Sequence, residues 1–248
     1  MQRANSTISI DFAKLLVAKF PHKSLPENYT SLRTDFSAFL PTPRFVWDGT
    51  LLFENLAGGT NLSSMAVDPR REATLSVLKA LKALVDEWSA RVEAPPTLWA
   101  DRVQSSPPHA FPKILRKDYE NALDWLAASP LVPSHGEMKH SHILCDETGG
   151  FVAIDLDQIG FRPAWFDGIY VALGWRKRDF SQELSGVYDA ALRELTPEAG
   201  PDNPARFRRE LVSAWIAFAL QDQQTSYLKD DSDVSRFLLN WAPILEGD

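Results

Sequence analysis

Residues 131–173 read LVPSHGEMKHSHILCDETGGFVAIDLDQIGFRPAWFDGIYVAL, and the fold turns on how this stretch divides. Phe151-Val152-Ala153-Ile154 is a short apolar run with Gly149-Gly150 before it and Asp155 and Asp157 after it, the pattern of a buried strand that ends in acids. Ile143-Leu144-Cys145 lies across the loop at 146–150 and forms the other arm of a hairpin. Such a hairpin sets His142, just before one arm, close to Asp155, just after the other. Glu137, in His135-Gly136-Glu137, stands on the segment leading in. Carboxylates and imidazoles at the mouth of a rigid hairpin suit a metal-assisted reaction.

Toward the N-terminus, residues 7–19 (TISIDFAKLLVAK) alternate and then run apolar. This suits one long strand or a hairpin turning near Asp11-Phe12. Lys19 closes the run, either reaching a ligand or ending an edge strand with its ammonium in water. The spacing of Leu32, Phe36 and Phe39 predicts a helix over 28–40, stopped by Pro41-Thr42-Pro43. Asp48-Gly49, between residues 44–47 and 51–53, predicts a second hairpin. Asp68-Pro69 then reads as a helix N-cap and first residue, followed by a stripe of Leu78, Leu81, Val85, Trp88 and Val92 that ends at Pro95-Pro96. Residues 100–112 read as a loop. Further helices carry Tyr119, Leu123 and Leu126; Leu184, Tyr188, Ala191 and Leu195; Phe207, Leu211, Trp215 and Phe218; and Val234, Phe237, Leu238 and Trp241. Strands in front and helices behind make the chain α+β.

The chain has 248 residues, 44% of them hydrophobic, and a formal net charge of −7. That charge argues against nucleic acid as a partner, because phosphate backbones need clustered Lys and Arg. It suits either plain solubility or a cationic small molecule. The single cysteine, Cys145, allows no disulfide framework and points to a reducing, cytoplasmic setting. The first residues lead into no apolar run of signal-peptide length, and no window has the length and apolarity of a membrane span. Nothing in the pattern specifies an oligomeric state.

The series H-G-E, His142, a hairpin, I-D-L-D at 154–157 and F-D at 166–167 resembles the aminoglycoside phosphotransferase and choline kinase-like family, a branch of the protein-kinase-like fold. The resemblance implies two lobes. A small β-rich N-lobe would take residues 1–57, and a larger helical C-lobe, holding the catalytic hairpin and an acceptor-binding helical subdomain, residues 58–248. The activity implied is ATP-dependent phosphorylation of a hydroxyl on a small molecule, with ATP and Mg2+ as cofactors. Glu137 then falls on the catalytic base, and Lys139 on a lysine able to reach the transferring phosphate. His142 and Asp155 fall on metal ligands, and Asp157 on a second acid that either ligates or hydrogen-bonds the loop. Lys19 matches the lysine of the α- and β-phosphates, Asp35 the helix acid that pairs with it, and Glu54 and Leu56 the hinge whose backbone holds adenine. His135 and Asp167 match residues that brace the loop.

This chain departs from the family pattern in three places. Glu137 stands where the family has Asp, and one added methylene shifts a carboxylate by about an ångström. His142 stands where it has Asn, and an imidazole ligand brings Mn2+ into consideration. No glycine-rich run precedes Lys19, the first glycine being Gly49. A protein that binds nucleotide or a small ligand without turnover is the alternative those departures raise. A zinc hydrolase built on His135, Glu137, His140, His142 and Asp155 is a third reading. Trp175, Asp222, Asp230 and Asp231 are candidates for recognising a cationic acceptor.

Overall fold

The alternation at residues 7–19 resolves into two strands, because Asp11 folds its carboxylate back onto the N–H groups of Ala13 and Lys14 and turns the chain. The computed structural model describes residues 6–21, 25–91, 97–101, 111–173, 186–197 and 200–221. Val92, Pro95-Pro96, Trp175, Leu184, Asp222, Asp230, Asp231, most of the 100–112 loop and the helix expected at Val234, Phe237, Leu238 and Trp241 lie outside the described residues.

Strands β1 (Ser6–Asp11) and β2 (Leu16–Pro21) are followed by helix α1 (Tyr29–Ser37), then β3 (Phe45–Trp47) and β4 (Leu52–Asn55). The expected turn at Asp48-Gly49 forms. The Asp48 carboxylate accepts the N–H groups of Thr50 and Leu51, and Gly49 takes φ +96°, where a side chain would be strained. The four strands form one antiparallel sheet in the order β1-β2-β4-β3.

Its register sets which side chains share a face. One cross-strand row holds Ile8, Lys19, Leu52 and Trp47, and the next holds Ile10, Val17, Glu54 and Phe45. Cross-strand partners share a face, so all eight point the same way. Helix α1 covers the β3–β4 half of that face, with Tyr29 set edge-on to Phe45 and Trp47 at 6.1 and 6.3 Å. The β1–β2 half is open, with Ile8 52% and Ile10 46% exposed beside a buried Lys19.

The second part begins with β5 (Thr60–Asn61) and the long helix α2 (Val67–Arg91). The helix starts earlier than Asp68-Pro69 suggested, since Arg70 N–H already bonds Ala66 O. Pro69 is tolerated because the first turn asks for no intrahelical donor. Helix α3 (Arg116–Leu126) precedes β6 (Leu131–Ser134), and β7 (Ile143–Cys145) and β8 (Phe151–Ala153) are the expected hairpin. Strand β5 joins that hairpin in a three-stranded sheet, while β6 pairs with β9 (Gly160–Pro163). Helices α4 (Ala164–Leu173), α5 (Asp189–Glu194) and α6 (Pro204–Gln221) complete the α-helices among the described residues.

Helix α4 is the centre of the helical part. Phe166 stacks on Trp215 of α6 at 5.5 Å, and Trp165, Ile169 and Tyr170 are buried around it. Among the contacts that tie the parts together, Ala153 N–H bonds Pro41 O, and Phe36 of α1 meets the His135 ring at 6.2 Å. The hairpin is thereby held against the sheet that carries Lys19.

Candidate active site

The segment after β6 is built around Asp167, in the first turn of α4. Its buried carboxylate accepts the Ser134 hydroxyl at 2.8 Å, His135 N–H at 2.7 Å and Gly136 N–H at 3.0 Å. Gly136 turns the chain at φ +81°, and a Cβ there would collide with the Gln158 carbonyl and the Arg162 guanidinium. His135 holds the far side of the loop. Its Nε2–H donates to Ile154 O at 2.8 Å, and its Nδ1 accepts Glu137 N–H at 3.3 Å, the pattern of a neutral ring. Both residues therefore brace the loop.

Glu137 is buried, and its carboxylate is engaged by the Lys139 ammonium. Its carbonyl accepts Nδ1–H of His142 at 3.0 Å. The other nitrogen of that ring, Nε2, faces Asp155 Oδ2 at 3.4 Å. His142 thus links the residues expected as base and as metal ligand. Burial, and then the neighbouring His135 and Lys139, push its pKa down to about 3.

Asp155 leaves β8 at φ +64°, a region that costs a non-glycine residue conformational energy. Lys19 holds it there, donating to Oδ1 at 3.0 Å across the cleft from β2. Burial pushes the Asp155 carboxyl up, but the Lys19 charge outweighs it and leaves the pKa lowered. Lys19 also meets Glu54 Oε2 at 3.0 Å and lies 3.8 Å from Asp157 Oδ1. Burial works against the Lys19 charge, yet Asp155, Glu54 and Asp157 together raise its pKa. Asp157 goes the other way. Burial lifts it to about 6, with Asp155 and Glu54 adding to the rise, and its Oδ1 is buried with no hydrogen bond.

Two expectations need correction. Asp35 is not the partner of Lys19. Glu54 takes that place with its side chain, from the strand alongside, and α1 contributes Arg33, which pairs with Glu54 and bonds the Tyr29 hydroxyl and Pro43 O. Leu56 does not offer its N–H to a base, since that group bonds Leu15 O at 2.7 Å. The backbone of Glu54 runs between β2 and β3, so its contribution is a carboxylate and not a hinge amide.

The sequence reading also missed Ile8, Ile10 and Val17, the open apolar half of the Lys19 face. The alternation Thr7-Ile8-Ser9-Ile10-Asp11 was the signal, since residues two apart share a face. Among the described residues no three His, Cys, Asp or Glu side chains form a group able to hold a metal. The zinc cluster is not assembled, because His135 turns to Ile154 O and His140 to Val171 O. Asp155 Oδ2 and His142 Nε2, 3.4 Å apart, are two donors that would leave an ion between them to draw its remaining ligands from phosphates and water.

No protein-family model and no curated protein sequence matches the chain. Solved structures do. The chain is similar to the GDP complex of aminoglycoside 2'-phosphotransferase-IIIa, with a TM-score of 0.59 at 12% identity, over 99% of this chain and 91% of that one. It is also similar to an ethanolamine kinase of Plasmodium vivax, with a TM-score of 0.56 at 14% identity, over 97% and 82%. A choline kinase from Streptococcus pneumoniae gives 0.55 at 11% identity, over 98% and 90%. At such identities the likeness establishes the fold, and the fold is the two-lobed, protein-kinase-like one.

Proposed function

We propose that this chain is an ATP-dependent phosphotransferase acting on a hydroxyl group of a small molecule. The observation that carries the reading is the contact between Lys19 of the sheet and Asp155 of the hairpin, at 3.0 Å, beside an open apolar sheet face. Ile8, Ile10 and Val17 offer a flat surface for a nucleotide base. Lys19 stands next to it for the phosphates. Asp155 and His142 would hold the divalent ion, which when bound neutralises charge on the phosphate oxygens. Glu137 would take the proton of the acceptor hydroxyl, and Lys139, already on that carboxylate, would lie close to the transferring group. In this reading residues 1–57 form the nucleotide-binding lobe, and residues 58–248 supply the catalytic hairpin and the acceptor pocket.

Nucleotide binding without turnover is the second reading. It is favoured by the hold of Lys139 on Glu137, which occupies the oxygen a base would use. Replacing Asp155 with Asn tests the first. Asn accepts the left-handed backbone at 155, so the melting temperature should stay within a few degrees. Phosphoryl transfer from ATP should fall at least about a hundredfold, the scale on which loss of a charge-stabilising group acts. Unchanged turnover removes Asp155 from the site. A wild-type protein that binds nucleotide but transfers phosphate to no acceptor selects the second reading.

A further inference from the structure

The proton on His142 is fixed by its neighbour. A carbonyl oxygen can only accept, so the Glu137 carbonyl at 3.0 Å places the ring proton on Nδ1 and leaves Nε2 with a bare lone pair. That lone pair faces Asp155 Oδ2 at 3.4 Å, longer than the roughly 2.7–2.9 Å of a charge-assisted hydrogen bond. Two acceptors therefore face each other with no proton shared between them. The other carboxylate oxygen, Oδ1, is already committed to Lys19. The His135 ring, stacked 5.7 Å behind His142, restrains the imidazole in this pose.

Such a gap suits a cation. An ion about 2.1 Å from both atoms would see them at roughly 108°, within reach of ordinary coordination angles. The Asp155 side chain is 38% exposed, against 7% for Lys19, so an ion can approach from the cleft without displacing the lysine. With no third protein ligand among the described residues, the site needs phosphate oxygens and water to complete it.

The geometry points to a nucleotide-dependent cation site, His142 Nε2 with Asp155 Oδ2, that selects a borderline first-row divalent ion such as Mn2+ over Mg2+. The choice follows from the donors. Magnesium prefers oxygen and parts from its water reluctantly, whereas imidazole nitrogen suits the transition ions. This inference rests on the phosphotransferase reading and adds the identity of the ion.

Calorimetric titration of the full chain with MnCl2 and with MgCl2, at saturating non-hydrolysable ATP analogue, tests it. The Mn2+-over-Mg2+ preference should be at least tenfold greater in the wild type than in H142N. Electron spin-echo spectra of the bound Mn2+ should show nitrogen-14 modulation in the wild type and none in the variant. Should H142N fail to fold, the wild-type nitrogen signal decides alone. Equal preference in the two proteins, or bound Mn2+ without nitrogen coupling, overturns the ion assignment while leaving the phosphotransferase reading in place. Failure of the analogue to bind with either ion overturns both.

Discussion

Two acids, the buried Glu210 on α6 and the partly exposed Asp155 after β8, sit in polar networks of opposite character. Glu210 is fully buried, and its oxygens accept Trp125 Nε1–H at 2.8 Å, Asn121 Nδ2–H at 3.1 Å and Arg206 Nε–H at 2.7 Å, all from helices at ordinary dihedrals. Asp155 is held at a left-handed φ, faces a bare imidazole nitrogen, and shares its lysine with an acid whose Oδ1 has no donor. The first network is closed and needs nothing further. The second keeps strain and unmet polar groups that folding alone does not explain, which is what sites for ligands look like.

The contrast can be broken from either side. Glu210→Ala should cost about 3–4 kcal/mol of stability, since it strands a buried indole N–H and opens a cavity. Chemical denaturation measures this, and nucleotide affinity should not change. A Glu210 variant that lost nucleotide binding with its stability intact would erase the distinction.

Acid titration sharpens the comparison at somewhat smaller scale. The folded pKa of His142, about 3, lies below its ordinary 6.5, so its contribution is present above pH 6.5 and is lost as pH falls toward 3. Asp157, raised from 3.8 to about 6, contributes below pH 3.8 and loses that contribution as pH rises through 6. Between pH 7 and 4, His142→Gln should remove about 3 kcal/mol of acid-induced destabilisation. Asp157→Asn should instead raise stability at pH 7. Denaturant midpoints across that range check both signs.

The smallest expected effect belongs to the open half-face. Ile8→Ser or Ile10→Ser should move stability by no more than about 0.5 kcal/mol, because these side chains are already in water. Affinity for an adenine nucleotide should still fall severalfold, because covering such carbons is worth about 25 cal/mol per Å². Unchanged affinity in both would mean the base lies elsewhere.

The hairpin site was legible because its members are close in sequence. His135, Glu137, His142, Asp155 and Asp167 are placed by one hairpin and the start of one helix, and short-range pattern is enough for that. The environment of Lys19 was not legible. Its carboxylate partner is chosen by strand register, and Val17 opposite Glu54 appears in no local motif. On α1, Asp35 lies two residues from the inward-facing Arg33, roughly 200° around the helix, so the acid could not have pointed the same way. The pairing of β6 with β9 was equally hidden, since Pro133, Arg162 and Pro163 spoil the alternation that marks a strand.

Within the sheet the hold on Lys19 comes from Glu54, one strand over, and α1 reaches that carboxylate through Arg33. A tilt or slide of the helix would pull away the arginine and leave the lysine clamped. The pairing of the lysine is thus a property of the sheet and the hairpin, and the helix is a neighbour to it.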